Sequence, residues 1–526
     1  MNVAELLRGP VGARPNAPAL IERSGTTRVE TSFLALDDAA RRMAGRLRRD
    51  GIGPGDGVLF FAPPSAALYA ALIAVFRRGA VAMFVEPSAG RHVLEEACTM
   101  SPPKALVATP KAHLLRVVSK ALRRVPHKYV TSAWMPGAVS LADPMTAPRD
   151  DHVAAVEADA PALLTFTSGS TGRPKGVVRT HGILRAQLAA LTDAFAAGAG
   201  ERELVSLPVV VLLNLANGAE TVLPDADLRR PAAIDAPSVS SQMLRERVTR
   251  ATASPAFLER LADDVGAATA LGVLRTIVTG GGPVFPDLVK RLELSSPSAR
   301  IISVYGSTEA EPIAHVSAAE VTPEDLAAMR RGAGLLAGEP DPHVELRIIR
   351  RQWGTPISPL DRAALDAMSC GTGEAGEIVV TGAHVVRGYL HGLGEEETKF
   401  RVDGCVWHRT GDVGYLDERG RLWLLGRASA VIEDSRGVLY PFAVECCARE
   451  ALAVRRVAVV AQGWRRVLVV ESPRGDLGID QPAALRALGW AEIDTIVSVR
   501  ALPMDRRHNS KIDYGALAAM IEAPRR

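Results

Sequence analysis

The pattern of apolar and polar positions predicts alternating strands and helices over roughly the first four-fifths of the 526 residues. After Ser32, apolar residues at positions 36, 39, 40, 43 and 47 recur at helical spacing, and serine is a favourable N-terminal helix cap. The short apolar runs 58–62 and 81–85 are typical of buried strands. This alternation favours helices packed on largely parallel sheets.

The longest apolar stretch, residues 58–76, lacks the features of a membrane span. Pro63 and Pro64 interrupt it, and Arg77 and Arg78 follow it directly. A strand, a helix and a further strand describe this region better than one continuous helix across a bilayer. The N-terminal residues also lack the basic-then-apolar order of a secretory signal. We therefore expect no integral membrane segment and a cytoplasmic location.

Three predicted strands end in turns of small residues. Residues 162–167 run into a loop rich in Gly, Ser and Thr, 273–278 precede three glycines at 280–282, and 301–304 precede the tripeptide YGS at 305–307. Because ligands of open α/β sheets bind outside the carboxyl ends of the strands, these turns predict one shared crevice.

The character of the sequence changes near residue 426. The following hundred or so residues alternate short Val-rich strands, predicted at 456–461, 466–471 and 495–499, with short helices. The predicted fold class is therefore α/β. A large N-terminal domain of mixed and parallel sheets flanked by helices spans residues 1–426, and a small, mobile α+β domain spans residues 427–526.

Composition and charge exclude several classes of protein. The 47% hydrophobic and 23% charged fractions are those of a globular chain, not of a disordered or fibrous one. The net charge of 62 − 59 = +3 is too small for a nucleic-acid-binding footprint. The five cysteines have no metal-ligand spacing and are expected to be free thiols. Only eight of the 62 basic residues are lysines, so a lysine inside a motif carries particular weight.

The most informative segment is TFTSGSTGRPKG at residues 165–176, whose last ten residues hold four hydroxyls, three glycines and one lysine. Backbone N–H groups, hydroxyls and an ammonium group suit a polyphosphate, and glycines let the backbone approach it closely. Pro174 stands where a Walker A loop needs its second glycine, and no Ser or Thr follows Lys175. The segment therefore predicts a phosphate-binding loop of another kind, with a flexible polar turn as the alternative.

Together with four further motifs in the same order, this loop resembles the adenylate-forming superfamily of acyl-CoA synthetases, peptide-synthetase adenylation domains and luciferases. The further motifs are YGSTE at 305–309, GEI at 376–378 with GY at 388–389, TGD at 410–412 with GR at 426–427, and NSKID at 509–513. The resemblance implies that ATP, with Mg²⁺, and a carboxylate react to give an acyl-adenylate and pyrophosphate.

The resemblance also implies roles for individual residues. The β- and γ-phosphates would be held by a loop made of Thr167, Ser168, Gly169, Ser170, Thr171, Gly172 and Lys175. Adenine would be flanked by Gly281, Gly282 and Tyr305, beside Gly306 and Ser307 of the same motif. Thr308 would contact the α-phosphate, Glu309 would bind Mg²⁺, and Asp412 and Arg427 would face the ribose. Lys511 would bridge the carboxylate and the α-phosphate once the C-terminal domain folds over the crevice.

Plainer interpretations of these residues remain open. The glycines would suit a tight turn, Glu309 a solvated surface, Asp412 a helix cap and Lys511 a surface position. A catalytically silent nucleotide-binding relative is the alternative from a different functional class, and the intact Lys175, Glu309, Asp412 and Lys511 argue against it.

The nearly all-aliphatic segment 204–223 is predicted to line the acyl pocket, with a buried core strand as the alternative. It lacks the aspartate with which amino-acid-activating relatives bind an α-ammonium group, so we expect a small-molecule fatty acid substrate. Two departures from the CoA-ligase pattern make CoA doubtful as a cofactor. Pro208 is followed by Val209 rather than by a Leu-Phe pair and a histidine, and Glu433 stands in place of a lysine.

A closer resemblance is to the β-lactone synthetases of bacterial long-chain olefin pathways. It rests on VVRTHG at 177–182 with Gln187, on LP at 207–208 leading to LLNLA at 212–216, and on MDRRHNSK at 504–511. In that branch a β-hydroxy fatty acid is adenylated, and its own hydroxyl expels AMP to close a β-lactone. A fatty acyl-CoA ligase, or an acyl-AMP ligase that supplies a carrier protein, is the alternative.

Two further implications of this branch stay open at the level of sequence. Arg179 and His181 are candidates for orienting the substrate or acting as a base, with surface or helix-capping roles equally open. A complex with a lactone decarboxylase and a reductase follows from the family analogy alone.

Overall fold

A computed structural model describes residues 2–85, 90–131, 135–141, 148–168, 174–473, 481–505 and 511–522. The chain forms two compact units. Unit 1 comprises Met1–Ala226, Ser241–Thr252 and Ala383–Glu395, and unit 2 comprises Asp227–Ser240, Ala253–Gly382 and Glu396–Arg526. The division into domains at residue 426 stays a prediction.

Unit 1 contains two sheets and the helices that pack on them. Its strands are β1 (Pro18–Ser24), β2 (Thr27–Ser32), β3 (Gly57–Phe61), β4 (Val81–Val85), β5 (Ala105–Ala108), β6 (His127–Val130), β7 (Val139–Ser140), β8 (Pro161–Ser168), β9 (Pro174–Thr180), β10 (Arg202–Val205), β11 (Glu220–Val222) and β12 (Arg250–Ala253), the last ending at the unit boundary. Its helices are α1 (Arg8–Ala13), α2 (Phe33–Arg49), α3 (Ala66–Arg77), α4 (Gly90–Met100), α5 (Pro110–His113), α6 (Leu115–Val118), α7 (Lys120–Arg124), α8 (His181–Phe195), α9 (Pro208–Asn217) and α10 (Ala236–Arg245), which crosses the boundary.

The two sheets of unit 1 are parallel except at one edge each. The larger has the strand order β7-β6-β5-β3-β4-β8-β9, and only β8 and β9 pair antiparallel. In the smaller, β2-β1-β11-β10-β12, only β1 and β2 do so. Parallel strands need both faces covered, which explains the continuous apolar runs read in the sequence.

Unit 2 begins with parallel strands and continues as an antiparallel sheet. Its strands are β13 (Thr276–Gly280), β14 (Arg300–Ser307), β15 (Ala310–Ser317), β16 (Leu335–Pro340), β17 (Val344–Ile349), β18 (Gly376–Gly382), β19 (Lys399–Val402), β20 (Cys405–Leu416), β21 (Leu422–Arg427), β22 (Ile432–Asp434), β23 (Gly437–Leu439), β24 (Val457–Gln462), β25 (Arg465–Glu471) and β26 (Thr495–Val499). Its helices are α11 (Pro255–Ala262), α12 (Ala268–Gly272), α13 (Pro286–Ser295), α14 (Pro323–Arg330), α15 (Arg362–Met368), α16 (Glu395–Thr398), α17 (Pro441–Ala451), α18 (Gln481–Ala487) and α19 (Tyr514–Glu522).

The main sheet of unit 2 runs β13-β14-β15-β16-β21-β20-β18-β17, with β19 paired to β20. The C-terminal residues add the sheet β24-β25-β26 and the hairpin β22-β23. Alternation along β25 sends Leu468 and Val470 into one apolar cluster and Val467 and Val469 into another. This period of two therefore lets a small three-stranded sheet carry helices on both faces.

The fold class expected from the sequence is confirmed: the protein is α/β, with mixed and parallel sheets followed by a smaller α+β part. The Ser32 hydroxyl caps α2 by accepting from the N–H of Ala35, and residues 36, 40, 43 and 47 are buried. The strand predicted at 81–85 matches β4. No helix of the residues described above is long and apolar enough to cross a bilayer.

Some predicted boundaries were wrong. Residues 273–275 do not belong to a strand, because α12 extends to Gly272 and β13 begins at Thr276. A helix started by the prolines after β3 is not found either: α3 begins at Ala66, where the Ser65 hydroxyl caps it by accepting from the N–H of Leu68. The alternative of a core strand across 204–223 is also wrong for its middle, which forms α9 between the short strands β10 and β11.

Candidate active site

The phosphate loop predicted from the sequence connects the two antiparallel strands β8 and β9. Thr167 lies opposite Lys175 and Ser168 opposite Pro174, so the strands pair up to the ends of the loop. The predicted ligands Gly169, Ser170, Thr171 and Gly172 lie outside the described residues, as do the side chains of Thr167 and Ser168. The structure adds the position of Lys175, which is the second residue of β9.

Lys175 lies over an aromatic ring of its own unit. Its Nζ is 5.9 Å from the centroid of the Tyr389 ring, within the range of a cation–π interaction. Gly394 has a φ of +84°, and a Cβ built on it would come within 2.7 Å of the same Nζ. Glu395 in turn accepts a 2.8 Å hydrogen bond from the N–H of Tyr389. The segment 389–395 therefore shapes the space around the lysine, a role that sequence analysis did not assign to Glu395.

Gly281 and Gly282 follow the end of β13, and Tyr305 lies within the neighbouring parallel strand β14. Gly280 of β13 is in register with Val304 of β14, so the glycines and the tyrosine continue from the same level. Gly281 has a φ of +82°, a left-handed conformation that favours glycine. This end of the two strands therefore has two glycines, which lack side chains, next to one aromatic residue. Such an arrangement can accommodate a flat base.

Thr308 and Glu309 form the two-residue loop of a β-hairpin. Ser307 of β14 pairs with Ala310 of β15, and the N–H of Glu309 donates to Ser307 Oγ at 3.2 Å. The turn predicted at Tyr305-Gly306-Ser307 is wrong, because antiparallel pairing with β15 extends the strand through these residues. The tip of the hairpin therefore carries the hydroxyl and the carboxylate that sequence analysis singled out.

Asp412 of β20 is held by two of the other predicted site residues. The Tyr305 hydroxyl donates a 2.8 Å hydrogen bond to Asp412 Oδ2, and Arg427 Nη1 donates to Oδ1 at 3.0 Å. Arg427 Nη1 also donates to the Thr410 carbonyl at 3.3 Å. The Asp412 carboxylate raises the pKa of Arg427, and burial raises the pKa of Tyr305. At neutral pH a neutral phenol and a guanidinium cation therefore orient one carboxylate.

His408 and Lys399 belong to the same neighbourhood, and sequence analysis missed both. They face each other across β19 and β20, and both are buried. Burial, with the charge of Lys399, lowers the pKa of His408 to about 3, while the Glu309 charge opposes this shift. Two signals pointed to them: Lys399 is one of only eight lysines, and His408 immediately precedes the segment 409–412.

The charges of these residues act on one another, and we call Tyr305, Glu309, His408, Asp412 and Arg427 the Asp412 cluster. Glu309 contributes to raising the pKa of Arg427 and also acts on His408. Four of the five members were predicted from motifs 100 or more residues apart in the sequence. Within unit 2 the fold thus brings the motif residues into a single electrostatic environment.

Lys511 lies next to a short antiparallel bridge between Met504 and Ile512. Its N–H donates to Asp505 Oδ1 at 2.7 Å, and the Asp505 N–H donates to its carbonyl at 2.7 Å. Three residues later the Tyr514 hydroxyl donates to Glu445 Oε1 at 2.6 Å, and the charge of Arg427 acts on this phenol. Asp505 therefore fixes the backbone at Lys511, while contact of the ammonium group with a substrate stays a prediction.

His181 is a core residue of unit 1. Its Nδ1 accepts a 3.2 Å hydrogen bond from the N–H of Val3, and its ring packs edge-on against Phe76 at 6.1 Å. Burial lowers its pKa to about 4, so the ring is neutral at physiological pH. The helix cap is supplied by the neighbouring Thr180, which accepts from the N–H of Ile183. The surface and capping roles considered for His181 are therefore wrong, and Arg179 is also buried.

A buried polar network anchors the aliphatic helix α9. Asn214 Nδ2 donates to Glu203 Oε2 at 2.7 Å, and the Thr252 hydroxyl donates to Oε1 at 2.6 Å. Burial raises the pKa of Glu203. Because such a network is costly to disrupt, it fixes the rotation of α9 and hence which apolar residues the helix directs outward.

The donor set suits a magnesium ion shared with a substrate more than a protein-enclosed metal centre. Among the residues that the structure describes, no group of three or more His, Cys, Asp or Glu side chains is arranged to hold a metal. Mg²⁺ commonly binds through one or two carboxylates plus phosphate oxygens and water. The single carboxylate of Glu309 at the hairpin tip fits that pattern.

The acidic residue that replaces the expected lysine after residue 427 has a partner in the fold. Glu433, on β22, forms an ion pair with Arg351. This pair connects the start of the α+β part to the loop that follows β17.

Comparison with known proteins supplies the context for these residues. A model of the AMP-binding enzyme family matches residues 8–390. The chain is 33% identical to the olefin beta-lactone synthetase of Stenotrophomonas maltophilia (strain K279a), over 94% of this chain and 92% of that one. It is 28% identical to the indoleacetate–CoA ligase of Aromatoleum aromaticum (strain DSM 19018 / LMG 30748 / EbN1), over 84% and 82%. The crystal structure of ATP-bound MatB from Rhodopseudomonas palustris superposes with a TM-score of 0.80 at 21% identity, covering 99% of both chains.

Proposed function

Because the chain belongs to the AMP-binding enzyme family, we propose that it adenylates a β-hydroxy fatty acid and closes the product to a β-lactone. In the first half-reaction a carboxylate oxygen bonds to the α-phosphorus of ATP, and pyrophosphate leaves. In the second, the β-hydroxyl oxygen bonds to the acyl carbon, the bond from that carbon to the phosphate oxygen breaks, and AMP and the hydroxyl proton leave.

The observation that carries the lactone half is the similarity to the olefin beta-lactone synthetase. The identity to that protein is 33% over 94% of this chain, compared with 28% over 84% for the indoleacetate–CoA ligase. The family resemblance inferred from the motifs is confirmed by the same comparison.

The geometry of the Asp412 cluster supports the adenylation half. An ionised carboxylate accepts hydrogen bonds on both oxygens and has two lone pairs on each. Tyr305 and Arg427 each use one position, which leaves capacity for two ribose hydroxyls. We assign Asp412 and Arg427 to the ribose, Tyr305 with Gly281 and Gly282 to the base, and Gly306 and Ser307 to the strand that carries them.

The phosphate contacts follow the motif assignments. We assign the β- and γ-phosphates to Lys175 and to the loop residues Thr167, Ser168, Gly169, Ser170, Thr171 and Gly172. Thr308 is assigned to the α-phosphate and Lys511 to the oxygens around the reacting phosphorus. Glu309 is the proposed Mg²⁺ ligand, and the bound ion would neutralise charge on the triphosphate.

The acyl-adenylate in this proposal needs no second substrate. An internal nucleophile held near the acyl carbon can reach an effective concentration of about 10⁵ M or more, although the strain of a four-membered ring opposes closure. The aliphatic α9 is the proposed wall of the acyl pocket, which suits a fatty chain and offers no charge to an amino group. A cytoplasmic location and a complex with neighbouring pathway enzymes are further parts of the proposal.

A product analysis without CoA tests the proposal. The protein is incubated with ATP, Mg²⁺ and a 3-hydroxy fatty acid, and lactone and AMP are quantified by mass spectrometry. We expect equal amounts of lactone and AMP. The matched control is the fatty acid of the same length without the hydroxyl, which should support exchange of labelled pyrophosphate into ATP but give no lactone.

Two other outcomes would change the assignment. A thioester that forms only after CoA is added, with no lactone before it, would establish the fatty acyl-CoA ligase alternative. Transfer to a carrier protein without CoA would establish the acyl-AMP ligase. Absence of pyrophosphate exchange with every lipid acid would reject adenylation itself.

A further inference from the structure

Four apolar side chains are exposed next to one another on unit 1. At the junction of α5 and α6, Leu114, Leu115, Val117 and Val118 have exposed fractions of 58%, 39%, 73% and 56%. Single exposed apolar residues are normal on a protein surface, whereas contiguous ones mark sites that bind another protein or a membrane. Of the residues from 114 to 118, only Arg116 is polar.

The same stretch lies in a long interval of the chain that has basic but no acidic residues. From residue 97 to residue 142 the sequence has no Asp or Glu, while the whole protein has a net charge of only +3. The seven basic residues in this interval are Lys104, Lys111, Arg116, Lys120, Arg123, Arg124 and Lys128. We call Lys111, Leu114, Leu115, Val117, Val118, Lys120 and Arg124, all exposed, the basic apolar patch.

Hydrogen bonds to the backbone anchor the patch. Arg116 donates to the carbonyls of Pro136 and Gly137 at 2.7 and 3.0 Å, and Arg123 donates to the Val117 carbonyl at 2.7 Å. At the start of α7, Glu95 accepts from the Ser119 hydroxyl at 2.6 Å. These hydrogen bonds hold the backbone that carries the exposed apolar side chains. Arg116 and Arg123, which donate most of them, are not members of the basic apolar patch.

We propose that the basic apolar patch docks the protein on the surface of an anionic lipid bilayer. Transfer of leucine and valine side chains to the boundary between headgroups and acyl chains lowers the free energy, because apolar surface leaves water. Lysine and arginine beside them are attracted by anionic headgroups. The mode is peripheral, because no helix among the described residues can span a membrane. The docking does not depend on the proposed reaction, but it would bring an enzyme of lipid acids to the phase in which such acids dissolve.

Other occupants fit this surface less well. A second copy would bring an equally basic patch against the first, and like charges at close range repel each other. A nucleic acid would be attracted by Lys120 and Arg124 but would gain little from four exposed aliphatic side chains. An acidic protein with an apolar surface could contact both the basic and the apolar side chains of the patch, so the experiment must distinguish it from a bilayer.

Sedimentation of the full-length protein with lipid vesicles tests the proposal. One set of vesicles is pure phosphatidylcholine and the other contains phosphatidylglycerol, with neither nucleotide nor fatty acid present. We expect at least tenfold tighter binding to the anionic vesicles, weakened by high salt. Lys120→Gln with Arg124→Gln should reduce that binding about tenfold, and Val117→Ser with Val118→Ser should reduce it to less than a third.

Matched controls are available elsewhere on the surface. Val265 and Lys290 are also exposed and lie outside the patch, so Val265→Ser and Lys290→Gln should bind like the unmodified protein. Thermal unfolding of every variant checks that the fold is retained. Pyrophosphate exchange with a short, water-soluble hydroxy acid should be the same in all of them, which keeps a docking defect separate from an adenylation defect.

Three results would overturn the inference. The first is no sedimentation of the unmodified protein with anionic vesicles. The second is sedimentation that the patch variants share with the controls. The third is tight binding of RNA or of an acidic protein that the patch variants lose while no lipid binding is measured.

Discussion

Two ion pairs of unit 2 share a strand but differ in their surroundings. Arg409 and Asp412 are three residues apart on β20, and each pairs with a residue on a neighbouring strand. The Arg409–Glu377 pair is shut off from solvent, with side-chain exposed fractions of 1% and 2%. The Arg427–Asp412 pair is open, with fractions of 45% and 17%.

In the closed pair, other groups of the protein satisfy the hydrogen-bonding capacity of both side chains. Arg409 donates twice to Glu377 Oε2, at 2.9 and 2.6 Å, and once to the Thr355 carbonyl at 2.7 Å. Glu377 Oε1 accepts from the Gln352 N–H at 2.6 Å. In the open pair, Asp412 retains acceptor capacity on both oxygens. The closed pair therefore serves the fold, and the open one is the kind that can bind a ligand.

The largest effect is expected when the closed pair is broken. Glu377→Gln would leave the Arg409 guanidinium buried without a counter-charge, which typically costs about 3–5 kcal/mol. Denaturant unfolding would measure this loss in the free energy of unfolding. Asp412→Asn is the matched control, since breaking an exposed pair costs about 1 kcal/mol or less. Equal losses in the two variants would contradict the distinction.

Lys511→Ala should reduce the adenylation rate with little change in stability. Loss of one preorganised donor to developing charge costs about 10²–10³ in rate, or roughly 3–4 kcal/mol. The backbone groups that bond Asp505 are kept in this variant. We expect ATP affinity to be nearly unchanged, and Lys290→Ala on α13 serves as a lysine control. Unaltered pyrophosphate exchange would remove Lys511 from the mechanism.

Asp412→Asn should weaken ATP binding by about ten- to a hundredfold, because a hydrogen bond to a charged group contributes about 1.5–3 kcal/mol. Equilibrium binding of ATP would measure the change. The sharper measurement uses 3′-deoxy-ATP, which lacks one ribose hydroxyl. If Asp412 accepts from that hydroxyl, the variant and the unmodified protein should differ less with the analogue; an unchanged ratio would argue for another role.

The acid limb of the stability curve should depend on His408. Its pKa is about 3 in the folded protein against 6.5 as its ordinary value, so below pH 6.5 the unfolded chain binds a proton that the folded chain does not. Stability from this group is present above pH 6.5 and falls toward pH 3, by about 1.4 kcal/mol per pH unit. Unfolding titrations of His408→Gln between pH 4 and 6 should be flatter by that slope. Parallel curves would show that His408 is not buried as a neutral ring.

The smallest effect is expected for Tyr305→Phe. The variant removes one hydrogen bond to Asp412 but keeps the ring, and such a bond contributes about 0.5–1.5 kcal/mol. The Michaelis constant for ATP should rise by about two- to tenfold. Tyr415→Phe is the matched control, because that phenol donates to the Ala333 carbonyl instead. A larger loss in the control variant would contradict the assignment of Tyr305.

Local patterns were sufficient for part of the fold and for the family. The helix behind Ser32 and the strand at 81–85 were predictable because a cap and an apolar periodicity act within a few residues. The motif residues were identified through the resemblance to the adenylate-forming family, and their individual roles stay predictions. The strand through Tyr305, Gly306 and Ser307 was not predictable, since its pairing partner β15 decides whether glycine and serine turn or extend.

What the sequence determined by itself was most of the secondary-structure elements and the α/β class. The family resemblance added candidate residues for phosphate, ribose and a carboxylate, and those contacts stay predictions. Only the tertiary structure decided which residues meet. It joined Tyr305 to Asp412 across 107 positions, and it buried His181 against Val3 across 178. The physical reason is that backbone preferences and side-chain periodicity act over one or two turns, whereas burial and long-range hydrogen bonding depend on how the whole chain closes on itself.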